Sequence, residues 1–199
     1  MHISKRIFYV SVMALMFVSC KNDPKEETTV SETTTTQKVS KKILTEEDKK
    51  VLGSVLVKIM TAPELKSFSS ACVTVQVTDL LSKEQGPFTV LGPTNAAFEV
   101  IPKATMTPFL KPQNKANFEK LIKNHIVKGN FSSEVLLKQI EKNGSLELET
   151  LGGAKLMATQ SGNDIIITDA NGKKATLHAK NMEGGNGWVH TLDAVLNIK

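Results

Sequence analysis

The chain has 199 residues, 40% of them hydrophobic, 23% charged and 5% aromatic, with a formal charge of +5 and two cysteines. That length supports one domain with its own core, and two cysteines cannot build the disulfide framework on which many small secreted folds depend. The positive charge is no sign of nucleic-acid binding, because the lysines are scattered and no basic stripe alternates with stacking aromatics.

The N-terminus reads MHISKRIFYVSVMALMFVSC. Lys5 and Arg6 lead into an apolar run from Ile7 to Val18 that ends at Ser19-Cys20. This is a three-part secretory signal over residues 1–19, too short to span a bilayer. A small residue followed by cysteine resembles the lipobox of bacterial lipoproteins, with Phe17 where leucine is favoured. The resemblance implies that Cys20 becomes an acylated N-terminus carrying diacylglycerol and palmitate-type chains. Two such chains hold a protein on a membrane where one gives only marginal binding. Cys72 then has no intramolecular partner; among Phe68, Ala71 and Val75 it reads as a small buried apolar residue.

Beyond Cys20 the segment to residue 44 is rich in Thr, Lys and Glu and almost devoid of apolar side chains, so it reads as a disordered spacer. Its Lys21-Asn22-Asp23 start partly resembles a surface-export signal of some Gram-negative lipoproteins. The folded part is expected over 45–199. Val51, Leu52, Val55, Leu56, Ile59 and Met60 share one helical face, with Thr45 and Asp48 as its cap. Pro63 interrupts that helix and starts another to about Cys72, while VTVQV at 73–77 alternates as a strand would and is left open.

Gly86-Pro87 marks a turn and Phe88 to Leu91 a short buried strand that Gly92-Pro93 breaks. Thr94 is placed to cap a helix over 95–100, closed by Pro102. A helix from about Asn114 to Asn124 carries Phe118, Leu121 and Ile122, and His125 to Val127 forms a brief strand. Ser132 or Ser133 caps the next helix, with Val135, Leu136 and Ile140 inside and Asn143-Gly144 at its end. After that the period becomes two: Leu146/Leu148, Leu156/Ala158, Ile165/Ile167 and Ala175/Leu177/Ala179, separated by glycine-containing turns. These are antiparallel strands, and helices followed by strands give a single compact α+β domain.

Three segments occur together: PFTVLGPTNAAFEVIP at 87–102, LIKNHIVKGNFSS at 121–133 and NGWVHTLDAVLN at 186–197. In order and separation they resemble the first signature, the Tyr-His region and the terminal signature of the fasciclin domain, over about 50–199. The resemblance implies a β-sandwich of short strands packed with several helices, and Thr94, Asn95, Phe98, Asn186, Gly187, His190 and Asp193 as its structural signature. The chain departs from the family at Leu91-Gly92 for Phe-Ala and at Asn95-Ala96 for an acidic pair. The tyrosine of the Tyr-His pair is Asn124. Animal members are associated with integrin contact through the apolar patch around that tyrosine, an aromatic this chain lacks.

The reactive-looking residues read as framework. His190 and Asp193 could serve as base and orienter for Ser132, Thr94 or Thr191, but strand alternation turns the two to opposite faces and no nucleophile elbow is present. His125, His178 and His190 have no metal-ligand spacing, and GGNG at 184–187 lacks the lysine and hydroxyl of a phosphate loop. Trp188 is expected half-buried at a strand start. Neither catalysis, cofactor, metal nor small-molecule substrate is expected. The reading is a non-catalytic module held by Cys20 on a bacterial envelope, on the periplasmic or surface face of the outer membrane. Its partners would be extracellular matrix, polysaccharide or another envelope protein. Asn124, His125 and Ile126 are the candidate ligand surface. The rival readings are an envelope hydrolase or transferase using His190, and an assembly or stress lipoprotein.

Overall fold

The computed structural model describes residues 44–198; the signal segment, Cys20 and the spacer up to residue 43 lie outside the described residues. Helices α1 (Glu46–Gly53) and α2 (Val55–Thr61) open the domain. The Thr45–Asp48 capping box is formed, but one continuous helix through Met60 is not. Ser54 is extended at ψ 164, its hydroxyl turns back to the Val51 carbonyl at 2.7 Å, and the freed Val55 N–H is held by Asn186 Oδ1 at 2.9 Å. Leu52 and Met60 therefore leave the buried stripe and are 54% and 56% exposed.

A 3₁₀ turn over Pro63–Leu65 leads into α3 (Lys66–Thr74), then α4 (Thr78–Lys83). The alternating VTVQV segment is no strand: Gln76 at φ +64 turns the chain between two helices, and Val75 and Val77 both point into the core. Strand β1 (Phe88–Pro93) follows, and runs through Gly92-Pro93 because both pair with the terminal strand. Next come α5 (Asn95–Glu99), capped by Thr94 Oγ1 from the Ala97 N–H, and α6 (Lys103–Phe109). Helix α6 was not anticipated; three prolines flank or interrupt it, and it buries no residue fully.

Helix α7 (Lys115–Lys123), strand β2 (Ile126–Lys128) and α8 (Ser133–Asn143) follow. Ser132 caps α8 and Gly144 ends it, with Leu136 and Ile140 buried but Val135 turned outward. The rest is β3 (Leu146–Glu149), β4 (Lys155–Ser161), β5 (Asp164–Thr168), β6 (Lys174–Gly184) and β7 (Gly187–Leu192).

All seven strands form one sheet in the order β2-β1-β7-β6-β5-β4-β3. The β1–β7 pair is parallel and every other pair is antiparallel. A bridge between Val127 and Thr150 brings the two ends of the sheet together, so the expected sandwich of short strands is one sheet curled almost closed. Strands β1, β2 and β7 are covered on both faces. Val90, Ile126 and Val189 face one apolar cluster with Ile59, Leu65, Phe68, Leu81 and Ile122; Leu91, Val127 and Leu192 face a second with Leu136, Leu156 and Ile167. Burial on both faces is why β1 shows no alternation of polarity.

Gly187 permits the parallel pairing of β1 with β7. Its φ is +147, and an added Cβ would lie 2.7 Å from the Phe88 carbonyl carbon and nearer still to its oxygen. Both the conformation and the contact exclude a side chain. Gly187→Ala is expected to lower unfolding free energy by about 3 kcal/mol. Urea denaturation measures this, and a loss below about 0.5 kcal/mol, within the surface range, would refute the packing argument.

Candidate functional site

His190 and Asp193 are held apart. The ring of His190, inside the domain on β7, donates from Nε2 to the Phe131 carbonyl at 2.8 Å. Its Nδ1 is buried without a hydrogen-bond partner. Asp193, just past β7, accepts at Oδ1 from the Thr176 N–H at 2.7 Å. Burial pushes the His190 pKa down, and its ring has no opening to a substrate. The hydroxyls that might have served as nucleophiles are occupied. Thr94 and Ser132 cap helices, and Thr191 donates to the His178 carbonyl at 3.4 Å. A hydrolase built on His190 has no access to its own base.

The proposed ligand surface at Asn124, His125 and Ile126 is corrected by burial: the three are 6%, 0% and 0% exposed. His125 donates from Nδ1 to the Leu121 carbonyl at 2.9 Å, and its Nε2 accepts the Leu196 N–H at 3.0 Å. The Phe68 ring packs edge-on at 6.1 Å between centroids. Asn124 Oδ1 accepts from Thr150 Oγ1 at 3.2 Å and from the Ala154 N–H at 3.3 Å. Gly152 lies flat on that amide; a Cβ there would meet Asn124 Oδ1 and sit 2.7 Å from the Lys120 carbonyl. Ile126 belongs to the first apolar cluster. What a sequence shows as a short polar-apolar edge is an internal joint, and only one end of the Asn124 amide reaches a cavity.

The other signature residues also hold backbone. Asn95 Oδ1 accepts the Ser67 N–H and its Nδ2 donates to the Pro63 carbonyl, locking α5 to the start of α3. Phe98 packs at the edge of the first cluster. Asn186 is a hub: Oδ1 takes the Val55 N–H, Nδ2 donates to the Leu81 and Glu84 carbonyls, and its own carbonyl accepts from Phe88. Gly185-Asn186 is the tight turn between β6 and β7, not a phosphate loop. Trp188 is half-buried and His178 exposed on β6. Cys72 is buried, and desolvation pushes its thiol up to about 12, so it is inert.

One concave feature was not anticipated. Between α6, α7 and the C-terminal segment lies a cavity of about 280 Å³ lined by Phe109, Asn117, Lys120, Leu121, Asn124 and Asn197. A second space of about 400 Å³, against Ala104, Thr105, Pro108 and Asn114, shares Phe109 and Asn117 as lining residues. Asn197 sits at φ +56, its N–H held by Asp169 Oδ2 at 2.6 Å, and its Nδ2 is buried without a partner. Asp169 Oδ1 also organises the β5–β6 turn through Asn171 and Lys173. The Asp-x-Asn-Gly-Lys run at 169–173 is a turn signal in the sequence, but nothing there indicates the remote partner Asn197.

The fasciclin domain model matches residues 63–198, which is most of the described fold. The chain belongs to the fasciclin domain family. Helix α1 and α2 precede the matched fasciclin segment. Protein sll1483 of Synechocystis sp. is 29% identical over 133 residues, covering 66% of this chain and 67% of that protein. Human periostin is 31% identical over 133 residues, 67% of this chain but 14% of periostin. Transforming growth factor-beta-induced protein ig-h3 of Sus scrofa is 32% identical over 126 residues, 63% and 17% of the two chains. The fasciclin chain described here thus spans only a small part of the latter two. Among solved structures, a domain pair from the insect cell adhesion molecule Fasciclin I superposes with a TM-score of 0.62 at 19% identity. The match covers 72% of this chain and 50% of that one, and shows the fold.

The His125 joint is sensitive to pH. Burial lowers its pKa from 6.5 to about 4, since protonation would bury a charge and set an Nε2 proton against the Leu196 N–H. The unfolded chain then binds more protons than the folded one between these values, so stability is full above pH 6.5 and is lost as pH falls toward 4. The expected loss from His125 is about 3 kcal/mol, with His190 acting in the same direction. His125→Leu should be less stable at pH 7 and show a shallower decline. Equal slopes for the two proteins in denaturant titrations from pH 7 to pH 4 would contradict this assignment.

Proposed function

We propose that this fasciclin domain is a non-catalytic binding module, held on a bacterial cell envelope through acylated Cys20 and presented across a Thr-rich spacer for adhesion to cells, matrix or polysaccharide. The observation that carries the non-catalytic part is the occupation of the reactive groups. His125 and His190 are enclosed and hydrogen-bonded to backbone, Asp193 binds a backbone N–H, and Cys72 is a desolvated thiol. His125 has both ring nitrogens satisfied, and His190, whose Nδ1 has no partner, is walled off from substrate by burial.

Adhesion is supported by family membership and by the likeness to a domain pair of an insect cell adhesion molecule. The anchor is supported by the N-terminal pattern, with a cationic start, an apolar run and Ser19-Cys20. Among the described residues, no helix is long and apolar enough to cross a membrane.

Metabolic acyl labelling is expected to mark the wild-type chain and not Cys20→Ala. Protease added to whole cells should remove the domain if it faces outward, and cells lacking the chain should attach several-fold less well. An unlabelled wild-type chain would remove the anchor from the account. Unchanged attachment, or one stoichiometric protein partner insensitive to glycans, would replace adhesion with an assembly role.

A further inference from the structure

Polar groups converge in the cavity between α6, α7 and the C-terminus. Three carboxamides, Asn117, Asn124 and Asn197, line it together with the Lys120 ammonium, over a floor made by Phe109 and Leu121. Among the described residues, the Asn117 side chain makes no hydrogen bond and Lys120 no ion pair. Asn124 has its oxygen committed to Thr150 and Ala154, which leaves Nδ2 as the donor it can offer. The Asn197 Nδ2 is a buried donor with no partner, on a residue whose backbone is gripped by Asp169. A buried donor left unmet is costly, and a fixed one is preorganised for an acceptor.

We propose that this cavity binds a saccharide bearing a carboxylate, a hexuronate unit, in the adhesive function proposed above, on which the inference rests. Sugar hydroxyls donate and accept at once, which carboxamides match, whereas an aliphatic ligand would leave most of these amides unmet. The apolar face of a pyranose ring can lie on Phe109, itself braced by Phe118 at 6.4 Å between centroids. Lys120 supplies a positive charge, and among the described residues no carboxylate lines either space, so a uronate is preferred over its neutral counterpart. The two spaces, about 280 and 400 Å³, are the size of small-ligand sites.

The test titrates the full-length chain, with labelled asparagine side chains, against trimers of galacturonate, glucuronate and mannuronate and their neutral hexose counterparts. The expected result is a saturable shift of the Asn117, Asn124 and Asn197 amide signals by at least one uronate trimer. Asn117→Ala should weaken that binding about tenfold. Lys120→Gln should remove most of the preference for the uronate. Both residues are exposed, so the fold is kept and a lost shift reports binding. No shift with any trimer, binding indifferent to both substitutions, or displacement by a peptide at the same amides would overturn the site. The adhesion reading fails separately. If cells lacking the chain attach normally while the uronate still binds, adhesion falls and the site stands; if attachment needs the chain but not Asn117 and Lys120, the site falls and adhesion stands.

Discussion

The imidazole of His125 ties together parts of the chain that are distant in sequence. It closes the end of α7 through Leu121, holds the C-terminal segment through Leu196, and is braced by Phe68 of α3. All three partners are apolar residues offering backbone groups or a ring edge, and the imidazole itself is fully buried. A neutral imidazole, with one donor and one acceptor nitrogen, satisfies a carbonyl and an N–H at once. From this joint follow the docking of the C-terminus against α7, the placement of Asn197, and the cavity that the two enclose.

The sheet imposes the second constraint. Because β1 and β7 run parallel and are covered on both faces, the chain must approach their starts closely and without side chains in the way. Gly187 allows the contact with Phe88, and Asn186 supplies the polar links from that corner to α2 and α4. Residues that look like chemistry when read along the chain, a histidine beside an aspartate or a glycine-rich run, are the means by which buried backbone ends are met.

Much of this was legible in the sequence. The helical stripe of α7, the Thr94 and Ser132 caps, the paired hydrophobics of β3 to β6 and the three family segments all appear where the pattern places them, because each depends on neighbours in sequence. The failures share a cause. The break at Ser54 depends on Asn186, far along the chain, and VTVQV is the end of α3 and a turn because Val75 and Val77 both reach one core. The burial of Asn124 to Ile126 depends on the Gly152 turn and the C-terminus, which no local pattern reports. The cavity was invisible for the same reason: Phe109, Asn117 and Asn197 come from three separate elements, and asparagines scattered along a chain carry no spacing signal.

A domain whose buried histidines and thiol serve the fold has its surfaces and cavities left for recognition, and that is the sense in which the architecture favours binding over turnover. The central claim is that His125 is a neutral, two-bond joint. Nitrogen-15 NMR of the imidazole in the full-length chain at neutral pH tests it most directly. The account predicts a single tautomer with the proton on Nδ1, an unprotonated Nε2 and slow exchange with solvent. A proton on Nε2, or a ring titrating near 6.5 as an exposed histidine does, would contradict it.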